Sequence, residues 1–331
     1  MKKLLLVAAA CVALASCVKN EMDFGPIDEA PIGFQAVQGL ESTRAAFGGT
    51  SFIATAYMIE ADKTNYTNWD SAAPADKEAY FVNVEVKKQT SGTYAGEWTT
   101  DTPYYWPQQG RLSFYAYTPN GVTAPAVDDA TKNYVIDGYD VNVAANKNKD
   151  LMVADIAKNL NANKVPAVFR HKLTNLLFTV KKSDTDTRTV KLHKVTLKGL
   201  QHAGTYTMPF NYPTATDGWV PTAATADYEL ISADVTVTST ATPFEVAQSF
   251  FMPQELGTKE IYIEYSVEYG GSSETVKVTK KLADLDDGGT NDNKWLINDQ
   301  VTYAIVIGGP TQIIWEPSVE DWNPESNVIA I

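Results

Sequence analysis

The chain has very little cysteine. Its 331 residues include two, Cys11 and Cys17. Cys11 lies in an apolar stretch near the N-terminus, so a chain cut before Cys17 keeps a single thiol. One cysteine forms neither an intramolecular disulfide nor a thiolate metal cluster. Such a protein must be stabilised by its apolar core and by the hydrogen bonds between its strands.

Positive charge is also scarce. Lysine and arginine together number 27 against 40 aspartates and glutamates, which gives a formal net charge of -13, and four of these cations are arginines. Surfaces that bind nucleic acid or anionic membranes need clustered lysine and arginine. We therefore expect no nucleic-acid partner.

Motifs typical of enzymes are missing as well. The sequence has no G-x-x-x-x-G-K-[ST], no G-x-G-x-x-G and no G-x-S-x-G. Its three histidines are His171, His193 and His202, and the spacing of nearby carboxylates does not suggest a metal site. His171 lies in the apolar run VFRHKLTNLLFTV, which favours a buried, hydrogen-bonded structural histidine. A Ser-His-Asp triad built from distant residues stays open, but we expect no enzyme activity and no cofactor.

One acidic loop is a candidate cation site. The segment ADLDDGGTNDNKW, Ala283 to Trp295, is rich in carboxylates. When an EF-hand loop is aligned with Asp284 as its first position, the fifth position is Gly288 and the twelfth is Trp295. The calcium site needs a glutamate at the twelfth position. An exposed hairpin loop is the better interpretation, and we expect no metal.

The N-terminus has the pattern of a lipoprotein signal peptide. Lys2 and Lys3 precede an apolar run, Leu4 to Ala15, which is too short to span a bilayer comfortably. The run ends in LASC at 14–17, which resembles a bacterial lipobox with Cys17 as the lipidated residue. An ordinary signal peptide with an incidental Cys17 is the alternative.

Alternating apolar and polar residues dominate the rest of the chain. Residues 261–269 read IYIEYSVEY, and Gly270-Gly271-Ser272-Ser273 then turns the chain into a second alternating run, which predicts a hairpin. The same alternation predicts strands at 81–88, where Val82, Val84 and Val86 share a face, at 111–119 and at 301–307. Helical patterns are scarce; the segment 152–163 has room for one short helical turn.

We expect an all-β fold of two tandem sandwich domains. Many short strands separated by Gly, Pro, Asn and Asp are typical of β-sandwiches, and the length allows two domains. The polar run NANKV at 161–165 precedes a new series of strands. The predicted units are a signal peptide at 1–16, a flexible tether at 17–30, an N-terminal domain at 31–164 and a C-terminal domain at 165–331.

Aromatic residues are abundant, with seven tryptophans and seventeen tyrosines. They suit either a sugar-binding platform or the core between two sheets. Trp98, Trp106, Trp315 and Trp322 adjoin strand-like stretches, which favours the core. A monomeric surface lipoprotein that binds glycan or a host protein without polymerising remains an alternative function.

Several segments in order behind the lipobox resemble the fimbrillin family of Bacteroidetes, the lipoprotein precursors of fimbrial subunits, including its minor-fimbria-like branch. The segments are STRAAF at 42–47, YYWPQQGRLSFYAYTPNG at 104–121, DLMVA at 150–154, VFRHKLTNLLFTV at 168–180, FFMPQEL at 250–256, WLINDQVTYAIVI at 295–307 and VEDWNPE at 319–325. Together they extend over most of the mature chain.

This resemblance implies transthyretin-like sandwiches with Greek-key type topology and a structural role, as stalk or accessory subunit, in a surface fimbrium that serves adhesion. In members that polymerise, an Arg-specific protease cuts after the first strand, and Arg44 is at the matching position. A strand from a neighbouring subunit then fills the groove. The implied partners are other fimbrial subunits, the protease, and an outer-membrane lipid bound through Cys17.

The first strand has the pattern of a removable element. PIGFQAVQ at 31–38 places Ile32, Phe34 and Ala36 on one face. Burial of an Ile or Phe side chain contributes roughly 1.5–3 kcal/mol, and withdrawal of the strand also leaves backbone groups unpaired. A strand from another chain restores both contributions. The candidate donor residues, between Gln312 and Ile331, are Ile313, Ile314, Trp315, Val328 and Ile329.

Overall fold

The computed structural model describes residues 31–38, 45–59, 68–107, 109–285, 293–309, 312–315 and 318–321. The predicted lipidation site Cys17, the predicted cleavage site Arg44 and the candidate donor residues Val328 and Ile329 lie outside the described residues. No helix within the described ranges has the length and apolar character needed to cross a membrane.

The described residues form strands and two short 3-10 helices, Pro74–Asp76 and Leu282–Asp284. The strands are β1 (Phe34–Gln38), β2 (Ala45–Ala46), β3 (Ser51–Ile59), β4 (Lys77–Lys88), β5 (Trp98–Thr100), β6 (Arg111–Thr118), β7 (Ala126–Val127), β8 (Tyr134–Asp140), β9 (Met152–Ala154), β10 (Ala157–Leu160), β11 (Val165–His171), β12 (Thr174–Lys182), β13 (Thr189–Gln201), β14 (Ala203–Met208), β15 (Gly218–Pro221), β16 (Thr225–Glu229), β17 (Val235–Val237), β18 (Thr242–Pro243), β19 (Phe250–Phe251), β20 (Gln254–Glu255), β21 (Glu260–Tyr269), β22 (Ser272–Lys281), β23 (Lys294–Trp295), β24 (Asp299–Gly309), β25 (Gln312–Trp315) and β26 (Ser318–Asp321). The expectation of an all-β fold is confirmed.

The first half of the chain forms a sheet whose pairings close into a ring. Its order is β10-β6-β3-β4-β5-β1-β11-β9, and β9 also pairs with β6. One face of these strands carries an apolar cluster that includes Phe34, Phe52, Phe114 and Phe169. We call this cluster the N-terminal core.

A four-stranded sheet, β15-β14-β8-β7, covers the other face of β3 and β6. Tyr115 of β6 stacks on Tyr134 of β8 with ring centroids 4.9 Å apart. Both faces of β6 are therefore buried, although only Leu112, Phe114 and Ala116 face the N-terminal core. Because β14 pairs with β8, and β11 pairs with β1, strand pairings cross the predicted domain boundary after residue 164. That division stays a prediction.

The last part of the chain is a β-sandwich. One sheet has the order β18-β12-β24-β25, and the other has the order β16-β13-β21-β22. Their inner faces share one apolar cluster, in which Phe178 of β12 and Tyr303 of β24 stack with centroids 5.6 Å apart. The predicted hairpin is present, and its turn is Gly270-Gly271, because Tyr269 pairs with Ser272.

Two local predictions were wrong. The segment 152–163 contains no helical turn but strands β9 and β10, because β9 is paired with both β11 and β6 and tertiary pairing overrides weak local propensity. Val82 does not share the inward face of Val84 and Val86, since it is 53% exposed. Asn83 has φ of 52° beside an irregularity in the β3–β4 register, so the alternation shifts there.

Candidate functional site

The first strand, β1, is one of the strands that form the ring of pairings, between β5 and β11. It runs parallel to β11 over its whole length, from Phe34↔Val165 to Gln38↔Phe169. Its other side meets β5 at Trp98 and β2 at Ala46. A strand held on both sides leaves two unpaired edges when it is withdrawn, so the place of β1 is a groove with backbone partners on both walls.

The inward side chains of this strand are deeply buried. Ile32 and Phe34 are each 2% exposed and Ala36 is 9% exposed. The Phe34 ring makes edge contacts with Phe52 and Phe114, with centroids 5.5 and 5.7 Å away. The three residues therefore share one face, as their spacing predicted, whereas the removal of the strand stays a prediction.

Polar contacts fix both ends of the strand. The Ile32 amide donates to the Tyr104 carbonyl oxygen at 2.7 Å. At the other end, Gln38 Nε2 lies 2.8 Å from Nε2 of His171, whose Nδ1 lies 2.8 Å from Asp150 Oδ1. His171 is 2% exposed, so the expectation of a buried, hydrogen-bonded structural histidine is confirmed.

The chain beyond Arg44 is attached to the same core. The β2 backbone pairs with β1 at Val37↔Ala46 and Gln38↔Ala45. Phe47 is buried, and its ring lies 4.7 Å from that of Phe169 and 5.5 Å from that of Trp98. In the sequence, Arg44 falls between strand β1 and the buried Phe47.

The other arginines are held by partners. Arg170 donates to both carboxylate oxygens of Asp155 at 2.7–3.0 Å. Arg188 makes two such bonds to Asp186, at 2.5 and 2.7 Å. Arg111, on β6, donates to the carbonyl oxygen of Asn159 at 3.0 Å. Each of these residues lies in a strand or directly before one. Proteases cut most readily at exposed loop tips, so these three arginines are poor cleavage sites.

The candidate donor residues divide into two groups. Ile313, Ile314 and Trp315 lie in β25, which pairs antiparallel with β24 at the edge of the C-terminal sandwich. Strand β26 pairs with the first half of the same β24. Residues 312–315 therefore already have a partner in their own chain, and Val328 and Ile329 are not described.

Two of the four tryptophans singled out in the sequence pack against the N-terminal core. Trp98 lies 5.6 Å from Phe52, and Trp106 lies 5.8 Å from Phe114, between ring centroids. Both side chains are half-buried and pack against the edge of the N-terminal core. Their positions favour the core interpretation over a sugar-binding platform at these residues.

The structure brings together a serine, a histidine and an aspartate that the sequence did not connect. His193 Nε2 lies 2.7 Å from Ser266 Oγ, and its Nδ1 lies 2.8 Å from Asp234 Oδ1. Ser266 is 5% exposed and sits in β21, which is paired on both sides. Acyl transfer needs a reachable nucleophile and free N–H donors for an oxyanion. The burial of Ser266 within a paired strand disfavours the first of these, and the geometry is that of a hydrogen-bonded network.

Metal-binding geometry is not found among the described residues, where no three His, Cys, Asp or Glu side chains form a candidate ligand group. Asp284 of the predicted loop lies in the 3-10 helix Leu282–Asp284, and residues 286–292 of that loop are outside the described ranges.

Comparison with known proteins agrees with this architecture. A fimbrial protein from Bacteroides vulgatus has 15% sequence identity and a TM-score of 0.59, over 88% of this chain and 99% of that chain. A candidate cell adhesion protein from Bacteroides uniformis has 18% identity and a TM-score of 0.53, over 89% and 99%. Another from Parabacteroides distasonis has 11% identity and a TM-score of 0.51, over 90% and 98%. At such identities these structures show a shared fold.

No curated protein matches the sequence. The model of one protein family, described as fimbrillin-like, matches residues 43–322. Because this match extends over most of the sequence, the chain belongs to the fimbrillin-like family.

Proposed function

We propose that this chain is a structural subunit, stalk or accessory, of a cell-surface fimbrium that serves adhesion. The family match and the similarity of its fold to a fimbrial protein support this role. In this proposal the chain is exported as a lipoprotein, is held at the outer membrane through Cys17, and associates with other fimbrial subunits.

Assembly begins in this proposal with a cut after Arg44 by an Arg-specific protease. The observation that carries the proposal is the position of β1, which lies inside the ring of pairings and directly precedes the segment with Arg44. A cut there separates β1 from the body, while Phe47 keeps its contact with Phe169. The cut therefore frees one strand and leaves the rest of the core attached.

The vacated groove then defines the strand that enters it. It offers the backbone of β11 on one wall, and it has lost an apolar side chain at each of three alternating positions, Ile32, Phe34 and Ala36. The deepest position is that of Phe34, between Phe52 and Phe114. A strand from a neighbouring subunit restores the ladder and the burial together, which is β-strand addition.

We place the donor in the segment that contains Val328 and Ile329. Donation from Ile313, Ile314 and Trp315 requires β25 to leave β24. The hydrogen bonds between β25 and β24 are then lost for those that β25 forms in the neighbouring subunit. A donor beyond Asp321 carries no such cost within the described part of the chain.

The experiment treats the folded full chain, carrying Cys17→Ser so that it is not lipidated, with an Arg-specific protease. We expect one cut, after Arg44, followed by SDS-resistant ladders. The matched variant Arg44→Gln should be neither cut nor assembled, and the arginines at 111, 170 and 188 should stay intact in both chains.

Two outcomes would contradict the proposal. Resistance of Arg44 to the protease while the fold is intact would remove the trigger. A cut product that remains monomeric would remove polymerisation, and would favour a surface lipoprotein that binds glycan or a host protein.

A further inference from the structure

A buried amine and a buried carboxylate meet where β11 passes into β12. Lys172 Nζ lies 2.8 Å from Asp217 Oδ2. The Lys172 side chain is 2% exposed and that of Asp217 is 14% exposed. Asp217 belongs to the connection between β14 and β15, so the contact joins two parts of the chain 45 residues apart.

Aromatic side chains surround this pair. The Tyr206 hydroxyl donates to the same Asp217 Oδ2. Lys172 Nζ lies 5.6 Å from the ring centroid of Tyr206 and 6.0 Å from that of Tyr212. Trp219 Nε1 donates to the Lys172 carbonyl oxygen at 2.6 Å. These contacts fix the amine against the carboxyl group in a pocket that is largely closed to solvent.

One hydrogen-bond acceptor faces the Lys172 ammonium among the described residues. An ammonium has three N–H donors, and Asp217 Oδ2 is the hydrogen-bond acceptor that the described residues give Lys172. The nearby carboxylate of Asp155 is occupied by Arg170 on both oxygens. A secondary amide has one N–H donor, so it fits the same surroundings with fewer unmade hydrogen bonds.

We propose that Lys172 and Asp217 close into an intramolecular isopeptide bond in the folded protein. The Nζ atom attacks Cγ of Asp217, the N–C bond forms, and the bond from Cγ to Oδ2 breaks. The ammonium gives up two protons, and both leave with Oδ2 as one water molecule. Tyr206, which contacts Oδ2, passes a proton to the departing oxygen and recovers one from the amine. No oxidant or other reactant is consumed.

Two properties of the pocket favour the reaction. Fixing an amine against a carboxyl group replaces a bimolecular encounter by an intramolecular one, with effective molarities of about 10⁵ M or more for well-oriented groups. Burial also lowers the pKa of the Lys172 amine, which increases the share of the neutral, nucleophilic form. At Asp217 burial is outweighed by the charge and hydrogen bond of Lys172, which lowers the pKa of the carboxyl group, so the attack requires the proton that Tyr206 passes to Oδ2. The departing water leaves a dry site, which opposes the reverse hydrolysis.

The chain itself provides matched control pairs. Lys87 Nζ lies 2.9 Å from Asp101 Oδ2, and Lys158 Nζ lies 2.6 Å from Asp70 Oδ1. Their distances resemble that of the buried pair, but the side chains of Lys87 and Asp101 are 41% and 68% exposed, and those of Lys158 and Asp70 are 14% and 40% exposed, so each pair has at least one partner open to solvent. Solvated pairs keep their charges, so these two should stay unlinked.

The test is peptide mass spectrometry of the full chain, purified in its folded state and digested with trypsin. An isopeptide bond blocks cleavage after Lys172, so residues 171–181 should appear joined to residues 199–259, lighter than their sum by one water. The peptides that contain Lys87, Asp101, Lys158 and Asp70 should appear unlinked.

The variant Lys172→Arg keeps the positive charge but lacks a primary amine, and it should yield residues 199–259 as a free peptide. Detection of separate, unlinked peptides from the folded wild-type chain overturns the proposal, as does any species in Lys172→Arg in which position 172 is joined to residues 199–259. The wild-type chain alone shows whether the two peptides are joined, so the test remains decisive even where the variant fails to fold.

Discussion

The rings of Phe47 and Phe169 stack with their centroids 4.7 Å apart and an angle of 24° between their planes. Phe169 belongs to β11, the parallel partner of β1, and Phe47 follows Arg44 by three residues. The two rings therefore fix the chain on the body side of the proposed cut against a wall of the groove.

This stacking leaves no room beside Phe47. A Cβ added at Gly49 would lie 2.4 Å from Phe47 Cζ, whereas one added at Gly48 meets no atom within 4 Å. We expect Gly49→Ala to lower the free energy of unfolding by about 1–3 kcal/mol, because the ring must shift. Gly48→Ala should be neutral or stabilise by up to about 1 kcal/mol. Urea unfolding of both variants measures the difference, and equal effects would contradict the packing of Phe47.

Phe34 should carry much of the stability that β1 contributes. The variant Phe34→Ala should lose about 3–5 kcal/mol in the free energy of unfolding, because it leaves a cavity between Phe52 and Phe114. Its neighbour Gln35 is exposed, so Gln35→Ala should stay within about 0.5 kcal/mol of the wild type. Denaturant unfolding of the uncut chain compares them. A similar loss in both variants would show that β1 is not seated through Phe34.

Lys77 should make stability depend on pH. Its Nζ lies 4.4 Å from the ring centroid of Trp69 and 4.0 Å from that of Phe210, and no described residue forms a hydrogen bond with it. Burial lowers the pKa of Lys77 from 10.5 to about 8. Between these two values the unfolded chain binds a proton that the folded chain has released, so stability rises with pH in that window.

The variant Lys77→Met removes this titration. At pH 7 it should be more stable than the wild type by about 1–3 kcal/mol, since a pKa shift of one unit corresponds to about 1.4 kcal/mol and cation–π attraction offsets part of it. The difference should shrink as pH rises from 8 towards 10.5. Urea unfolding at several pH values measures it, and a difference that is constant with pH would refute the assignment.

A chain that ends at Asp321 separates the two groups of donor residues. It keeps β25 and β26 and lacks Val328 and Ile329. We expect the protease to cut it after Arg44 as it cuts the full chain, but no SDS-resistant ladder should form. Ladders from the shortened chain would place the donor elsewhere, with β25 as the next candidate. Circular dichroism before the cut confirms that both chains are folded.

The sequence predicted strands best where one face alone is buried. In β21, the apolar residues Ile261, Ile263 and Tyr265 are each fully buried, as their alternation indicated. Tyr269 continues the alternation but is 73% exposed, because it lies at the end of the hairpin beyond the opposite sheet. Period-two alternation predicts a face, and it does not predict how far the covering sheet extends.

Contacts between distant segments escaped prediction for a different reason. The alternation of β6 identified Leu112 and Phe114, but Tyr115 and Tyr117 on its other face are buried as well, by the sheet that contains β14. The partners of a strand depend on pairings that local patterns do not encode. The same holds for the contact of Lys172 with Asp217, since neither residue carries a sequence motif.

The closed ring of pairings also affects how the uncut chain associates with other copies of itself. An exposed strand edge promotes aggregation of identical chains, and with β1 in place the N-terminal sheet has no open edge at that position. The paired strand therefore protects the uncut chain from edge-to-edge association at this position. Under the function proposed above, the protease would then set the time and place of polymerisation.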